Sequence, residues 1–88
     1  MKIKEGYVIM KLGDGYVVVT VGQACGDFNG MICLNETGAF LWQCIQDGTG
    51  TKEKLIEAML DRYDDLTETT AAGDLDEFLD SIRIALED

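Results

Sequence analysis

The side chains in this sequence best suited to covalent or metal chemistry are its three cysteines, because the 88-residue chain contains no histidine. Without histidine the chain lacks the usual general base and the commonest metal ligand. Cys25, Cys33 and Cys44 include no C-x-x-C pair and are odd in number, so neither a zinc site nor a disulfide framework is favoured. We expect buried or half-buried free thiols, with no catalytic residue, no metal and no cofactor. An enzyme would have to work through carboxylates alone, which is the weakest alternative.

Charge limits the partners that this chain could bind. It carries 17 Asp and Glu against 7 Lys and Arg, a net charge of −10, and residues 51–88 hold −8 of that charge. Nucleic-acid affinity depends on cations that displace the counterions of the phosphate backbone. A nucleic acid is therefore disfavoured as a partner, and a neutral or basic partner is favoured.

The sequence carries no visible targeting segment. Residues 1–6 are too polar for a signal peptide, and no apolar run is long enough to span a membrane. We therefore expect a cytoplasmic protein with no membrane partner.

The first part of the chain has the pattern of β-strands. Runs rich in β-branched or other large apolar residues at 7–10, 16–21 and 31–34 predict three strands. The segment Gly13-Asp14-Gly15 predicts a hairpin turn between the first two, and a glycine-rich loop over 22–30 leads to the third.

The second part has the pattern of helices. Apolar residues at helical spacing predict helices near 35–47, 51–63 and 68–86, with N-caps at Asn35, at Thr51 and at Thr67 or a neighbour. Three strands followed by three helices predict one α+β domain over residues 1–88, winged helix-turn-helix-like, with a three-stranded antiparallel sheet.

Three segments carry a resemblance to a known family. Residues 34–42 read LNETGAFLW, a hydrophobic residue, then N-x-T-G, then an aromatic-rich first helix. Residues 51–56 read TKEKLI, with Tyr63-Asp64 at the end of that helix, and residues 74–79 read DLDEFL. Over about residues 5–86 this pattern resembles the PqqD-like family, the recognition elements of ribosomally made and post-translationally modified peptide pathways.

The resemblance implies a non-catalytic peptide chaperone. Family members bind the leader of a precursor peptide and bring it to a modifying enzyme, often a radical S-adenosylmethionine enzyme. The leader is held as an extra strand against the third strand, over the third helix.

The residues independently favour strand addition. The third strand carries no charge and no proline, the usual protections of a sheet edge, and an added strand would gain main-chain hydrogen bonds while its alternate side chains enter pockets. The third helix has an apolar stripe wide enough to supply those pockets. We predict a peptide site formed by Met31, Ile32, Cys33, Leu34, Leu75, Phe78, Leu79, Ile82 and Arg83.

Simpler roles stay open for these residues. The third strand could serve the core alone, and Leu75, Phe78 and Ile82 are chiefly core residues in either case. The acids of the third helix could be an ordinary solvated face or, at the rim of a groove, could select Lys or Arg; they are Asp74, Asp76, Glu77 and Asp80. The alternative function is an acidic winged-helix interaction or regulatory module.

Overall fold

The computed structural model describes residues 1–26 and 30–87. The strands are β1 (Lys2–Ile3), β2 (Tyr7–Leu12), β3 (Gly15–Thr20), β4 (Met31–Leu34) and β5 (Leu86–Glu87). The helices are α1 (Glu36–Gln46), α2 (Lys52–Arg62) and α3 (Glu68–Ser81), with short 3-10 turns at Gly22–Gly26 and Arg83–Ala85. The predicted antiparallel sheet followed by three helices is confirmed, with the strand order β2-β3-β4. Residues 27–29 of the predicted glycine-rich loop lie outside the described residues.

The β2–β3 hairpin forms at the predicted turn. Gly13 has a φ of +62° and, with Asp14, joins Leu12 to its register partner Gly15. Glycine adopts a positive φ without the steric cost that a Cβ would bring. The ladder then continues antiparallel through β3 to β4, where Tyr16 pairs with Leu34 and Val18 pairs with Ile32.

The helices begin at the predicted caps. The Asn35 side chain accepts a hydrogen bond from the Gly38 N–H at 2.8 Å. Thr51 accepts from Lys54 N–H at 3.3 Å, and Thr67 accepts from Thr70 N–H at 3.2 Å. Each cap satisfies a backbone donor that the first helical turn leaves without a partner.

One layer of apolar side chains fills the space between the sheet and the helices. The core-facing side of the sheet contributes Val18, and α1 contributes Trp42; both side chains are fully buried. The predicted stripe on the third helix is also core; its members are Ala71, Leu75, Phe78, Ile82 and Ala85. None of the helices in the described ranges has the length and apolar run needed to cross a bilayer.

The third helix is shorter than predicted. It ends at Ser81 rather than near residue 86; Ile82 leaves the helical region with φ −107° and ψ 16°, and a 3-10 turn follows. The prediction was wrong because Ile82 and Ala85 are three residues apart, a spacing that a 3-10 turn buries as well as an α-helix does.

The last residues instead form a second, two-stranded sheet that was not predicted. In β5, Leu86 pairs with Ile3 and Glu87 pairs with Lys2, and the Lys4 N–H donates to the Ala85 carbonyl at 2.8 Å. The partner strand comes from the other end of the chain, so no local pattern could indicate this pairing. It fixes the polypeptide just beyond α3.

Candidate functional site

Strand β4 is an edge of the three-stranded sheet, with β3 as its neighbour on one side. Val21 N–H donates to the Gly6 carbonyl at 2.8 Å, just beyond the β2–β3 ladder. The backbone groups of Val21 are therefore directed at β2. Because backbone groups alternate in direction along an antiparallel strand, those of residues an odd number of positions from Val21, such as Tyr16 and Val18, are directed at β4.

The register then fixes which groups of β4 are free. The register partners of Tyr16 and Val18 are Leu34 and Ile32, whose backbone groups are therefore directed back at β3. The same alternation directs the N–H and C=O of Met31 and Cys33 away from the sheet.

A groove lies beside this edge, between β4 with the start of α1 on one side and α3 on the other. Its volume is about 260 Å³. The β4 and α1 side is lined by Cys33, Leu34, Asn35, Thr37, Gly38 and Leu41, and the α3 side by Asp74, Glu77, Phe78 and Ser81. The groove therefore runs along a strand edge that still has hydrogen-bonding groups to offer.

The junction of β4 and α1 shapes one wall of the groove. Only Asn35 separates the two elements, and its capping bond to Gly38 holds the first turn of α1 against the end of β4. A Cβ on Gly38 would lie 3.3 Å from the Leu34 Cβ and from the Asn35 Oδ1, tighter than ordinary contact. Glycine at this position therefore lets the helix approach the strand closely.

The opposite wall is one face of α3. Asp74, Glu77, Phe78 and Ser81 are spaced three, four and seven residues from the first, so they share one side of the helix. The Phe78 ring is 7% exposed and forms the apolar floor together with Leu34.

The predicted site residues fall into three groups. Cys33, Leu34 and Phe78 meet at the groove, and Met31 and Ile32 belong to the same strand edge, with Met31 59% exposed and Ile32 half-buried. The side chains of Leu75, Leu79 and Ile82 face the core instead and do not line the groove. Arg83 lies on the 3-10 turn, exposed, and pairs with Asp80.

The groove lining includes residues of α1 that are absent from the sequence-predicted site, and its α3 wall shares only Phe78 with that predicted site. The sequence signal for the groove-lining face of α3 is the set of polar residues three or four positions from Phe78, rather than the apolar stripe. The glycine inside the first turn of α1 was a second signal, because glycine in a helix is costly unless close packing requires it.

Four of the five acids of α3 follow its first turn, and these four have different surroundings. Lys52 Nζ lies 3.4 Å from Asp76 Oδ1, and Arg83 pairs with Asp80. The two acids that line the groove, Asp74 and Glu77, have no Lys or Arg within ion-pair distance among the residues that the structure describes. Of these four acids, the two without an ion-pair partner are therefore the two on the groove side.

Two of the three cysteines are exposed, which corrects the expectation of buried or half-buried thiols. Cys33 alternates with Ile32 along β4 and so lies on the outer face of the sheet; Cys25 is exposed on a 3-10 turn, where its thiol donates to the Thr20 carbonyl at 3.2 Å. Cys44 is half-buried, and burial, with the nearby Asp47 charge, raises the pKa of its thiol. Across 1–26 and 30–87, no three His, Cys, Asp or Glu residues form a group suited to a metal ion.

The outer face of the sheet is apolar as well as the inner one. It exposes large side chains from both edge strands, namely Val8, Met10, Leu12 and Met31. In the described residues the three helices contribute to the core on the opposite face, where Val18 is fully buried.

Comparison with known proteins gives two matches. The family model described as coenzyme PQQ synthesis protein D (PqqD) matches residues 6–85. A solved structure described as TbiB1 in complex with the TbiA(beta) leader peptide superimposes with a TM-score of 0.72 at 23% sequence identity, over 94% of this chain and 88% of that one. At that identity the likeness shows the fold. A comparison with the curated proteins gives no match.

Proposed function

This chain belongs to the PqqD family, and from that premise we propose that it binds the leader segment of a precursor peptide as an added strand along β4. The observation that carries the proposal is the free edge of β4 beside a groove walled by α3. The structure of similar fold, TbiB1, is described as a complex with a leader peptide, which supports the same class of ligand here.

The geometry of the edge suits this mode of binding. A strand added to β4 would lie about 4.8 Å away and would meet the outward-directed N–H and C=O of Met31 and Cys33. Its alternate side chains would enter the groove between Leu34 and Phe78, and the others would extend the outer face of the sheet. Main-chain bonds would supply affinity in this arrangement, and the groove would supply selectivity.

We propose that the chain itself is not catalytic. The groove offers apolar groups, hydroxyls, an amide and carboxylates, and no Lys, Arg or His lines it to favour a reactive thiolate at Cys33 beside it. The chemistry would belong to a partner enzyme that receives the bound peptide, and we propose a radical S-adenosylmethionine enzyme as that partner.

The test begins with a peptide selected from a displayed library of random linear sequences for binding to this chain, here called the selected peptide. Its titration into the ¹⁵N-labelled protein should shift the backbone amides of residues 31–34 and 74–81. The bound peptide should also slow alkylation of Cys33, which lies next to the added strand. The alkylation rate of Cys25 should stay unchanged and serves as the internal control.

Two outcomes would contradict the proposal. One is a set of shifts confined to β2 and α2 with residues 31–34 unmoved. The other is a peptide that protects both exposed thiols equally, because that result indicates general crowding or unfolding rather than pairing with β4.

A further inference from the structure

The groove carries a negative charge that nothing in its lining offsets. Asp74 and Glu77 stand three residues apart on the groove face of α3, a spacing at which side chains on a helix are neighbours. The rest of the lining is neutral, and of the hydroxyls Ser81 already donates to the Glu77 carbonyl at 3.0 Å.

Two further acids of the same helix, in contrast, each have a cationic partner. Asp76 is paired with Lys52 and Asp80 with Arg83, and both pairs lie outside the groove lining. The basic side chains near α3 are thus placed away from the groove, and its two carboxylates are left to solvent.

A peptide strand laid into the groove would remove water from these carboxylates. Covering an ionised carboxylate without a compensating partner is costly. A neutral peptide would bear that cost in full, and an acidic peptide would add repulsion. A basic side chain would instead replace the lost hydration with charge-assisted hydrogen bonds.

We infer that the groove selects an extended peptide with a Lys or Arg directed at Asp74 and Glu77. The inference rests on the proposed function and names the chemistry of its ligand. Side chains alternate between the two sides of a strand, so the basic residue and the apolar residue that contacts Phe78 must lie on the same side of the peptide. Their sequence positions therefore differ by an even number. The net charge of −10 adds attraction that raises the association rate.

The experiment uses the selected peptide with each position replaced in turn by Lys, Gln and Glu, and measures affinity by fluorescence anisotropy. At the position facing α3, Lys should bind about three- to tenfold more tightly than Gln, the range expected for one or two solvent-accessible ion pairs. Glu should bind more weakly than Gln. Raising the salt concentration should shrink these differences.

Two double variants supply matched controls on one helix. D74N/E77Q and D76N/D80N remove the same number of negative charges, the first inside the groove and the second outside it. The preference for Lys should disappear in D74N/E77Q and persist in D76N/D80N. Thermal unfolding of both variants establishes that each is folded.

The inference is overturned if Lys and Gln bind equally at every position, or if both double variants reduce the Lys preference alike, since that reports only net charge. Neither result would touch the proposed function provided the amides of residues 31–34 still shift with bound peptide. If those amides do not shift, the proposed function itself has failed.

Discussion

The two edge strands of the sheet have different surroundings although both have free backbone groups. On β2, Lys11 pairs with Tyr16, whose own backbone groups are directed at β4, so Lys11 N–H and C=O are directed away from the sheet as those of Cys33 are on β4. Strand β2 carries this lysine at its exposed end, whereas β4 has no charged residue along its length. Lysine on an edge strand is one of the usual barriers to the pairing of a further strand.

The larger difference is what lies beside each edge. The groove next to β4 has an apolar floor of Leu34 and Phe78 and a second wall from α3. The two pockets that include Tyr7 of β2 have no residue of α3 in their lining. Free backbone hydrogen-bonding groups alone can pair with any strand, whatever its sequence. A helix wall adds side-chain selection, and only β4 combines the two.

Substitutions of the leucines at the ends of the two edge strands should differ most in their effect on the free energy of unfolding. Leu34 is 8% exposed at the end of β4, and Leu12 is 63% exposed at the end of β2. Leu34→Ala should lower the free energy of unfolding by about 2–5 kcal/mol, because it leaves a cavity under the groove. Leu12→Ala should change it by less than about 0.5 kcal/mol. Urea unfolding measures both, and equal losses would mean that the end of β4 is no more integrated into the core than the end of β2.

Proline on each edge tests the role of the backbone. Cys33→Pro removes an outward donor from β4 and leaves the bonds to β3 intact, so affinity for the selected peptide should fall about tenfold or more, about 1.4 kcal/mol. Lys11→Pro removes the corresponding donor from β2 and should leave affinity unchanged. Cys33→Ala controls for loss of the thiol. Equal losses from the two proline variants would show that the peptide does not distinguish the edges.

The sequence predicted the elements better than their orientation. The turn at Gly13 and the cap at Asn35 are local chemistry, and both formed as expected. The run Val17-Val18-Val19 could not show which face of β3 is inward, because every member is apolar; Val18 faces the core, and Val17 is buried on the other face beneath neighbouring side chains. A period-2 pattern decides the inward face only when one face is polar.

The site shows the same limit on α3. The width of the apolar stripe suggested that Leu79 could reach a groove, but the structure uses that width for the core. Successive helical residues turn by about 100°, so the face of α3 directed at β4 depends on where β4 lies in the folded protein. The sequence pattern of α3 does not contain that information. The edge itself was predictable because lack of charge and lack of proline can be read directly from residues 31–34.

Loss of the helix cap between β4 and α1 should have an intermediate effect on the free energy of unfolding. Asn35→Ala removes the acceptor for Gly38 N–H and should lower the free energy of unfolding by about 1 kcal/mol. Because the cap joins β4 to α1, amide exchange should accelerate at residue 34 and in the first turn of α1, while the amides of β2 keep their protection. Thr51→Ala, which removes the cap of α2, is the control; faster exchange at residue 34 in that variant as well would indicate global rather than local loosening.

The smallest effect is expected on the far side of α3. Lys52 Nζ lies 3.4 Å from Asp76 Oδ1, and both side chains are more than 60% exposed. An exposed pair of this kind contributes less than about 1 kcal/mol, so Lys52→Ala should barely change urea unfolding. It leaves Asp76 unpaired outside the groove, where salt screens its charge within about 8 Å at physiological ionic strength, and affinity for the selected peptide should stay within about twofold. A loss comparable with that of Cys33→Pro would place the peptide between α2 and α3, and the contrast between the two sheet edges would then have no bearing on binding.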